Sequence, residues 1–329
     1  MVWNDDTPGN GEIYFKKSAD GGATWQSDKR LTNSAASSYV PDIAANSSSI
    51  CLVWLEGDSG LEELFFKKSI NGGSNWQVRQ QLTSGYDRPG TPKIAINGAN
   101  IYLVCSMETP VNREIYFSKS TDGGATWKDW KTLSTSSTNA WVPDITCSGA
   151  NLYVIWNSDS TGNHEVYFRM STNGGDTWQS QKRLTYNSGN SKYAAVAAGG
   201  SGGTGVHAVW EDDTPGNLET YFRRSTDSGA TWKTSKRFTF NSGSSRMPAV
   251  AASGSDVFAG WMDDTPGNYE IYFRRSADAG VNWQDTERLT NTAGDSSWPK
   301  IALNAAKVYV VYADSTPGNN EIYLKYSPL

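Results

Sequence analysis

The chain has 329 residues, of which 29 are Lys or Arg and 34 Asp or Glu, for a formal net charge of -5 and no long basic run. That balance argues against a nucleic-acid backbone as the main partner, and no stretch approaches the roughly 20 apolar residues that membrane insertion by a helix needs. Three cysteines (Cys51, Cys105, Cys147) and two histidines (His164, His207) are scattered, giving neither a disulfide framework nor metal-ligand spacing, and no cofactor is expected.

The N-terminal run MVWNDDTPGN lacks the apolar stretch of a signal peptide, and Met1 stands directly before the middle of a repeat, as in a fragment of a longer chain. The repeat is an eight-residue pattern, Ser-x-Asp-x-Gly-x-Thr-Trp. It begins at Ser18, Ser69, Ser120, Ser171, Ser225 and Ser276, at intervals of 51, 51, 51, 54 and 51 residues. The longer interval contains residues 199–205, GGSGGTG, a loop about three residues longer than its counterparts. Residues 41–82 read PDIAAN, ICLVWLE, EELFFKKS and NWQVRQQL, four short runs rich in β-branched and aromatic residues and bounded by Gly, Asn, Ser or Asp. Such runs predict four antiparallel strands per unit, and helix signals are nearly absent. Units of this kind bury their faces only against neighbours, so one β-propeller domain over residues 1–329 is expected.

Within the eight-residue pattern the residue types divide the work. Asp20, Asn71, Asp122, Asn173, Asp227 and Asp278 can accept bonds from turn amides, and the glycines beside them supply positive φ. Trp25, Trp76, Trp127, Trp178, Trp232 and Trp283 then enter the fourth strand as apolar plugs between units. A reaction centre does not need six copies, so the motif is structural. SADGGATW at Ser18, STDGGATW at Ser120 and STDSGATW at Ser225 resemble the Asp-box, or bacterial neuraminidase repeat, of sialidase-like β-propellers. The resemblance covers almost the whole chain and implies a propeller. It also implies a secreted or cell-surface setting, but not an activity, since the family includes propellers that hydrolyse nothing.

First strands are marked at Pro41, Pro92, Pro143, Ala195, Pro248 and Pro299, six in all, whereas the third-strand signature occurs seven times, at Glu12, Glu63, Glu114, Glu165, Glu219, Glu270 and Glu321. The expectation is a six-bladed propeller of four-stranded blades, with strands from Lys300 onward sharing the closing blade with N-terminal strands up to Leu31, so that no sheet edge stays open. Seven blades, some incomplete, and exchange of the surplus segment with a second molecule are the alternatives; the oligomeric state is left open.

The loops between second and third strands share a face with the links between blades. They include NDDTPGN at Asn4, EDDTPGN at Glu211, MDDTPGN at Met262 and ADSTPGN at Ala313, which read first as tight hairpins and second as cation or sugar contacts. Just before the first strands stand Tyr39, Arg88, Trp141, Tyr193, Arg246 and Trp298, expected to rim the mouth as a ligand-binding platform. Flat aromatic faces suit sugar C–H groups and polar edges suit hydroxyls. The resemblance implies that a sialidase would need three arginines, a Tyr and Glu pair and an Asp; Arg88, Arg113 and Arg246 are the candidates, with Arg246-Met247-Pro248 echoing the family's Arg-Ile-Pro element. No copy stands out as specialised, so a non-catalytic module binding a glycan or protein partner is the first expectation. An exo-acting glycoside hydrolase of the sialidase type and a purely structural repeat are the others.

Overall fold

The computed structural model describes residues 1–329 except 59, 86–87, 136–137 and 201–202; Ser201 and Gly202 of the glycine-rich loop thus lie outside the described residues. All regular structure in it is β. The chain divides into two compact units, Met1–Ala150 and Asn151–Leu329.

In the first unit, β1 (Val2–Asp5), β2 (Glu12–Phe15) and β3 (Lys29–Arg30) form a three-stranded sheet. β4 (Ser38–Ala45), β5 (Ile50–Glu56), β6 (Glu63–Ser69) and β7 (Gln80–Gln81) form the second sheet, and β8 (Pro89–Asn97), β9 (Asn100–Glu108), β10 (Arg113–Ser120) and β11 (Lys131–Thr132) the third; β12 (Ala140–Ser148) ends the unit. The second unit continues with β13 (Asn151–Ser158), β14 (Glu165–Ser171) and β15 (Lys182–Arg183), then β16 (Ser191–Gly199), β17 (Gly205–Asp212), β18 (Glu219–Ser225) and β19 (Lys236–Arg237). Its next sheet holds β20 (Ser245–Ser253), β21 (Asp256–Asp263), β22 (Glu270–Ser276) and β23 (Glu287–Arg288), and its last β24 (Ser296–Leu303), β25 (Lys307–Asp314) and β26 (Glu321–Pro328).

There are therefore seven antiparallel blades, not six. The N-terminal strands and the C-terminal strands belong to different sheets, each of three strands, so the expected shared closing blade does not form. The seventh third-strand signature is not surplus but the edge of a seventh blade. The reason is local: β25 meets β26 across a short TPGN turn in eight consecutive pairs, from Asp314↔Glu321 to Lys307↔Pro328. A hairpin of that kind closes at far smaller entropic cost than a pairing with four-residue β1 from the other end of the chain.

The outermost strands are only two residues long, much shorter than the run NWQVRQQL suggests. They are fastened by repeated polar clasps. Buried Glu12, Glu165, Glu219 and Glu270 pair with Arg30, Arg183, Arg237 and Arg288 of the neighbouring outer strand, at 2.7, 2.5, 2.7 and 3.0 Å. Beside each clasp a threonine hydroxyl accepts the next backbone N–H, as Thr32 does from Ile13 and Thr290 from Ile271.

The deepest core comes from second strands: Trp54, Trp156, Trp210 and Trp261 are fully buried. A second apolar layer joins one sheet to the next. Trp76 meets Phe15 edge-on at 5.3 Å and Trp127 meets Phe66 at 5.2 Å in the first unit; Trp232 meets Phe168 at 5.0 Å and Trp283 meets Phe222 at 4.9 Å in the second. The eight-residue turn delivers these indoles. In the copy at Ser120, Asp122 Oδ1 accepts the Thr126 N–H at 2.9 Å and Oδ2 the Thr126 hydroxyl at 2.5 Å, while Ser120 Oγ accepts the Gly124 N–H at 2.8 Å. Gly124 is obligatory, because a Cβ there would lie 2.6 Å from the Phe66 ring. Asn71 and Asn173 hold the same turn through their side-chain carbonyls. Cys51 and Cys105 are buried as small apolar fillers.

Two predictions follow from this packing. Trp210→Ala should cost about 3–5 kcal/mol, as for a fully buried aromatic, read as a shift of the urea midpoint; an unchanged midpoint would remove the core role. Acid should weaken the fold in two windows. His207 is buried against Phe222 and pushed down to about 4 by burial, so its unfolded form binds the extra proton and stability falls as pH drops from about 6.5 through 4, by ~3 kcal/mol. Asp227 and Asp278 are held at about 2, chiefly by bonds from Thr231 and from the Asn282 N–H respectively, so their contribution is present above pH 4 and is lost as pH falls through 2. His207→Phe should flatten the first window and leave the second in a pH series of denaturant melts.

Candidate functional site

Five of the first strands enter through a β-bulge. Register shifts fall between Tyr39 and Asp42, Gly90 and Lys93, Lys192 and Ala195, Arg246 and Ala249, and Ser297 and Lys300. Val40, Thr91, Tyr193, Met247 and Trp298 at the bulges, and the matching Val142, hold φ between 44° and 52°, a conformation bulky residues avoid at a cost on the order of 1–2 kcal/mol. Five of the six are followed by proline, whose missing N–H does no harm in an interrupted ladder. The strands thus begin before the prolines, at Ser38, Pro89, Ser191, Ser245 and Ser296, rather than at them.

The bulge also separates the six rim candidates, which do not occupy equivalent positions. Tyr39, Trp141 and Arg246 precede the positive-φ residue; Tyr193 and Trp298 are that residue; Arg88 lies three places before Thr91 and has φ of 33° itself. The acidic loops are used up structurally. Asp212, Asp263 and Asp314 each accept a serine hydroxyl from the paired first strand (Ser191, Ser245, Ser296; 2.6, 2.5 and 2.7 Å) and the N–H of the turn threonine. Among the described residues no group of three His, Cys, Asp or Glu is placed to hold a metal ion.

In the first unit, one copy departs from its siblings. The loop after β9 reads Glu108-Thr109-Pro110-Val111-Asn112 where the others carry at least one Asp and a Gly, and Glu108 receives both Arg88 (3.4 Å) and Arg113 (3.5 Å). Arg113 also reaches Ser106 Oγ at 3.3 Å and the Arg88 carbonyl at 3.4 Å. Arg88, Glu108, Tyr116 and Trp130 line a cavity of about 590 Å³ with Met107 and Pro110. Arg113 and Trp141 line a smaller one of about 240 Å³ that shares Glu108. Glu108 and Arg88 remain about half exposed, so the ion pairs are weak and open to exchange with ligand groups. Beside Arg88, Glu62 accepts the Gly60 N–H at 3.1 Å and faces the Tyr39 hydroxyl. Burial, then the Glu62 charge, push Tyr39 up to about 12; the Gly60 bond holds Glu62 below the usual carboxylate range.

In the second unit Arg246 faces the Tyr269 hydroxyl, Glu211 and Tyr193. Glu211 is buried and raised by that burial, and its carboxylate accepts the Met247 N–H at 3.0 Å, which fastens the bulge. The sequence candidates therefore gather as Arg88 with Arg113 and Trp141, and as Arg246 with Tyr193, while Trp298 stands 55% exposed. Glu108, Glu62, Tyr116, Trp130 and Tyr269 were not anticipated, while Glu211 belongs to one of the acidic loops read second as cation or sugar contacts. Trp130 was findable, since the position three residues after the repeat's tryptophan is polar in every other copy (Asp28, Arg79, Gln181, Ser235, Thr286), and so was Val111 in place of Gly.

No protein-family model and no curated protein matches the sequence. Among solved structures the chain is similar to the GH93 alpha-L-arabinofuranosidase of Fusarium graminearum in complex with arabinobiose, with a TM-score of 0.59 and 13% identity over 88% of this chain and 93% of that one. It is also similar to Trypanosoma rangeli sialidase, with a TM-score of 0.60 and 12% identity over 92% of this chain and 56% of that one. The same sialidase in complex with sialic acid gives 0.57 and 13%, over 91% and 55%. The chain spans little more than half the length of the sialidases. At these identities the likeness carries the fold, a β-propeller, and leaves activity to the site.

Proposed function

We propose that the protein is a non-catalytic glycan-binding propeller of an exported or cell-surface protein, and that its site is the cavity of the first unit where Glu108 lies between Arg88 and Arg113 beneath Tyr116 and Trp130. That departure of one copy from the rest carries the reading. Half-exposed guanidinium and carboxylate groups can share sugar hydroxyls, and an indole with a phenol offers the flat face that sugar C–H groups pack on. Trp141 extends the platform beyond Arg113. The rim residues Tyr39, Tyr193, Arg246 and Trp298 fall outside this cavity's lining and are secondary contacts at most. The neighbours' complexes with arabinobiose and sialic acid agree with a glycan ligand in kind.

Hydrolysis is the second reading, favoured by one observation: Tyr39 and Glu62 face each other beside Arg88, as a nucleophile and its base would. Against it, Glu62 is held below the carboxylate range and Tyr39 is pushed up, whereas glycoside cleavage needs an acid group kept protonated near neutrality.

A glycan array should return a ligand whose affinity falls about tenfold to hundredfold on Arg88→Ala, the scale of one hydrogen bond to a charged group, and similarly on Trp130→Ala. An empty array sinks the glycan reading. Release of fluorophore from a sialoside or arabinofuranoside that Tyr39→Phe abolishes would transfer the assignment to the hydrolase.

A further inference from the structure

Four sheets lock their outer strand with the same pair of bonds. The arginine directly across from a third-strand tyrosine (Arg30 from Tyr14, Arg183 from Tyr167, Arg237 from Tyr221, Arg288 from Tyr272) sends Nη2 to the buried glutamate two residues before that tyrosine. Its Nε donates to the backbone carbonyl two residues beyond itself, that of Thr32, Thr185, Thr239 or Thr290, at 2.8, 2.6, 2.6 and 2.8 Å. One planar guanidinium thus fills a seat with two acceptors.

The third sheet keeps both acceptors and has no arginine at that place. Thr132 stands across from Tyr116, and its short side chain cannot bridge to Glu114. Glu114 is only 7% exposed, yet among the described residues no donor or cation meets its carboxylate. Ser134, the counterpart of Thr32, is held as its siblings are, its hydroxyl accepting the Ile115 N–H at 2.9 Å, while its carbonyl meets no donor among the described residues. The second sheet shows how the same substitution is closed from within: Gln81 replaces the arginine and reaches the Thr83 carbonyl at 2.8 Å, and Glu63 accepts the Thr83 hydroxyl at 2.5 Å and the Gly85 N–H at 2.9 Å.

Register puts the seat of the third sheet beside the cavity that holds Trp130. Glu114 pairs with Met107 and shares a sheet face with Tyr116, and Met107 and Tyr116 both line that cavity of about 590 Å³. A carboxylate buried without a partner is costly, and a cation brought in by a ligand recovers that cost. Arg88 and Arg113 do not supply it, because Glu108 holds both.

We infer that Glu114 and the Ser134 carbonyl receive a protonated amine, so that the ligand of this cavity is an amino sugar with a free ammonium group. The inference rests on the glycan reading of the same cavity. With the sugar ring against Trp130 and Tyr116, the ammonium N–H donors serve both acceptors, and the aromatic faces add cation–π attraction. N-acetylation removes the charge and with it the match to Glu114.

Calorimetric titration of the full chain with hexosamines of gluco, galacto and manno configuration, each beside its N-acetyl counterpart, tests this. At least one amine should bind tighter than its acetylated form by about tenfold or more, the scale of a hydrogen bond between charged groups. Glu114→Gln should remove that preference. Thr132→Arg should rebuild the internal clasp, raising the urea midpoint and abolishing the preference together. Equal affinity within every pair, or a preference that survives both substitutions, overturns the inference and leaves the glycan reading standing. A Thr132→Arg midpoint no higher than that of the parent overturns the seat itself. If no sugar of either kind binds, the glycan reading falls and the amino-sugar assignment falls with it.

Discussion

In four copies the indole leaving the eight-residue turn comes down edge-on against the phenylalanine of the sheet before it, and the other features of the structure are arranged around that contact. A lone three- or four-stranded sheet has two faces and too little thickness to bury either. The Trp76–Phe15 and Trp232–Phe168 contacts convert neighbouring sheets into mutual cover, and the glycine of the turn is fixed because the ring leaves no room for a side chain. The aspartate of the same turn serves the indole indirectly: by gathering the Thr126 N–H and hydroxyl, Asp122 aims the chain into the gap between sheets.

Polar groups follow the same division between scaffold and surface. Carboxylates that look reactive in sequence, such as Asp212, Asp263 and Asp314, are consumed by serine hydroxyls and turn amides and have little capacity left for a ligand. Glu12, Glu165, Glu219 and Glu270 are likewise committed to arginines of the outer strands. What distinguishes Glu108 is its long, half-exposed pairing with two arginines next to a cavity. Beside the saturated carboxylates of the loops and clasps, one held this loosely next to a cavity is where binding energy can be gained.

Most of the fold could be read from the chain because its period is regular and its strands alternate cleanly. Even the seventh blade was written there, in EIYL at Glu321, but pattern alone does not say whether a strand pairs locally or with the far terminus. That choice rests on closure entropy and on the eight-pair β25–β26 ladder. The bulges had only a faint mark, the prolines at 41, 92, 143, 248 and 299, since positive φ at Val, Thr, Met or Trp runs against residue preference and is imposed by the surrounding sheet. The site was harder. Treating the copies as equals favoured Tyr39, Tyr193 and Trp298 by position, whereas the informative signal was difference: Trp130, Glu108 and Val111 each depart from what the other copies carry.

The bulges carry one more consequence. Because the kink lies in the backbone, the residue just before it can differ from copy to copy, and the six positive-φ residues of the first strands are preceded by Tyr39, Gly90, Trp141, Lys192, Arg246 and Ser297. Two aromatic rings, a bare backbone, two cations and a hydroxyl are accommodated on one unchanged frame. The arrangement works like a row of interchangeable fittings, in which recognition can be rewritten one blade at a time while the architecture that displays it stays the same.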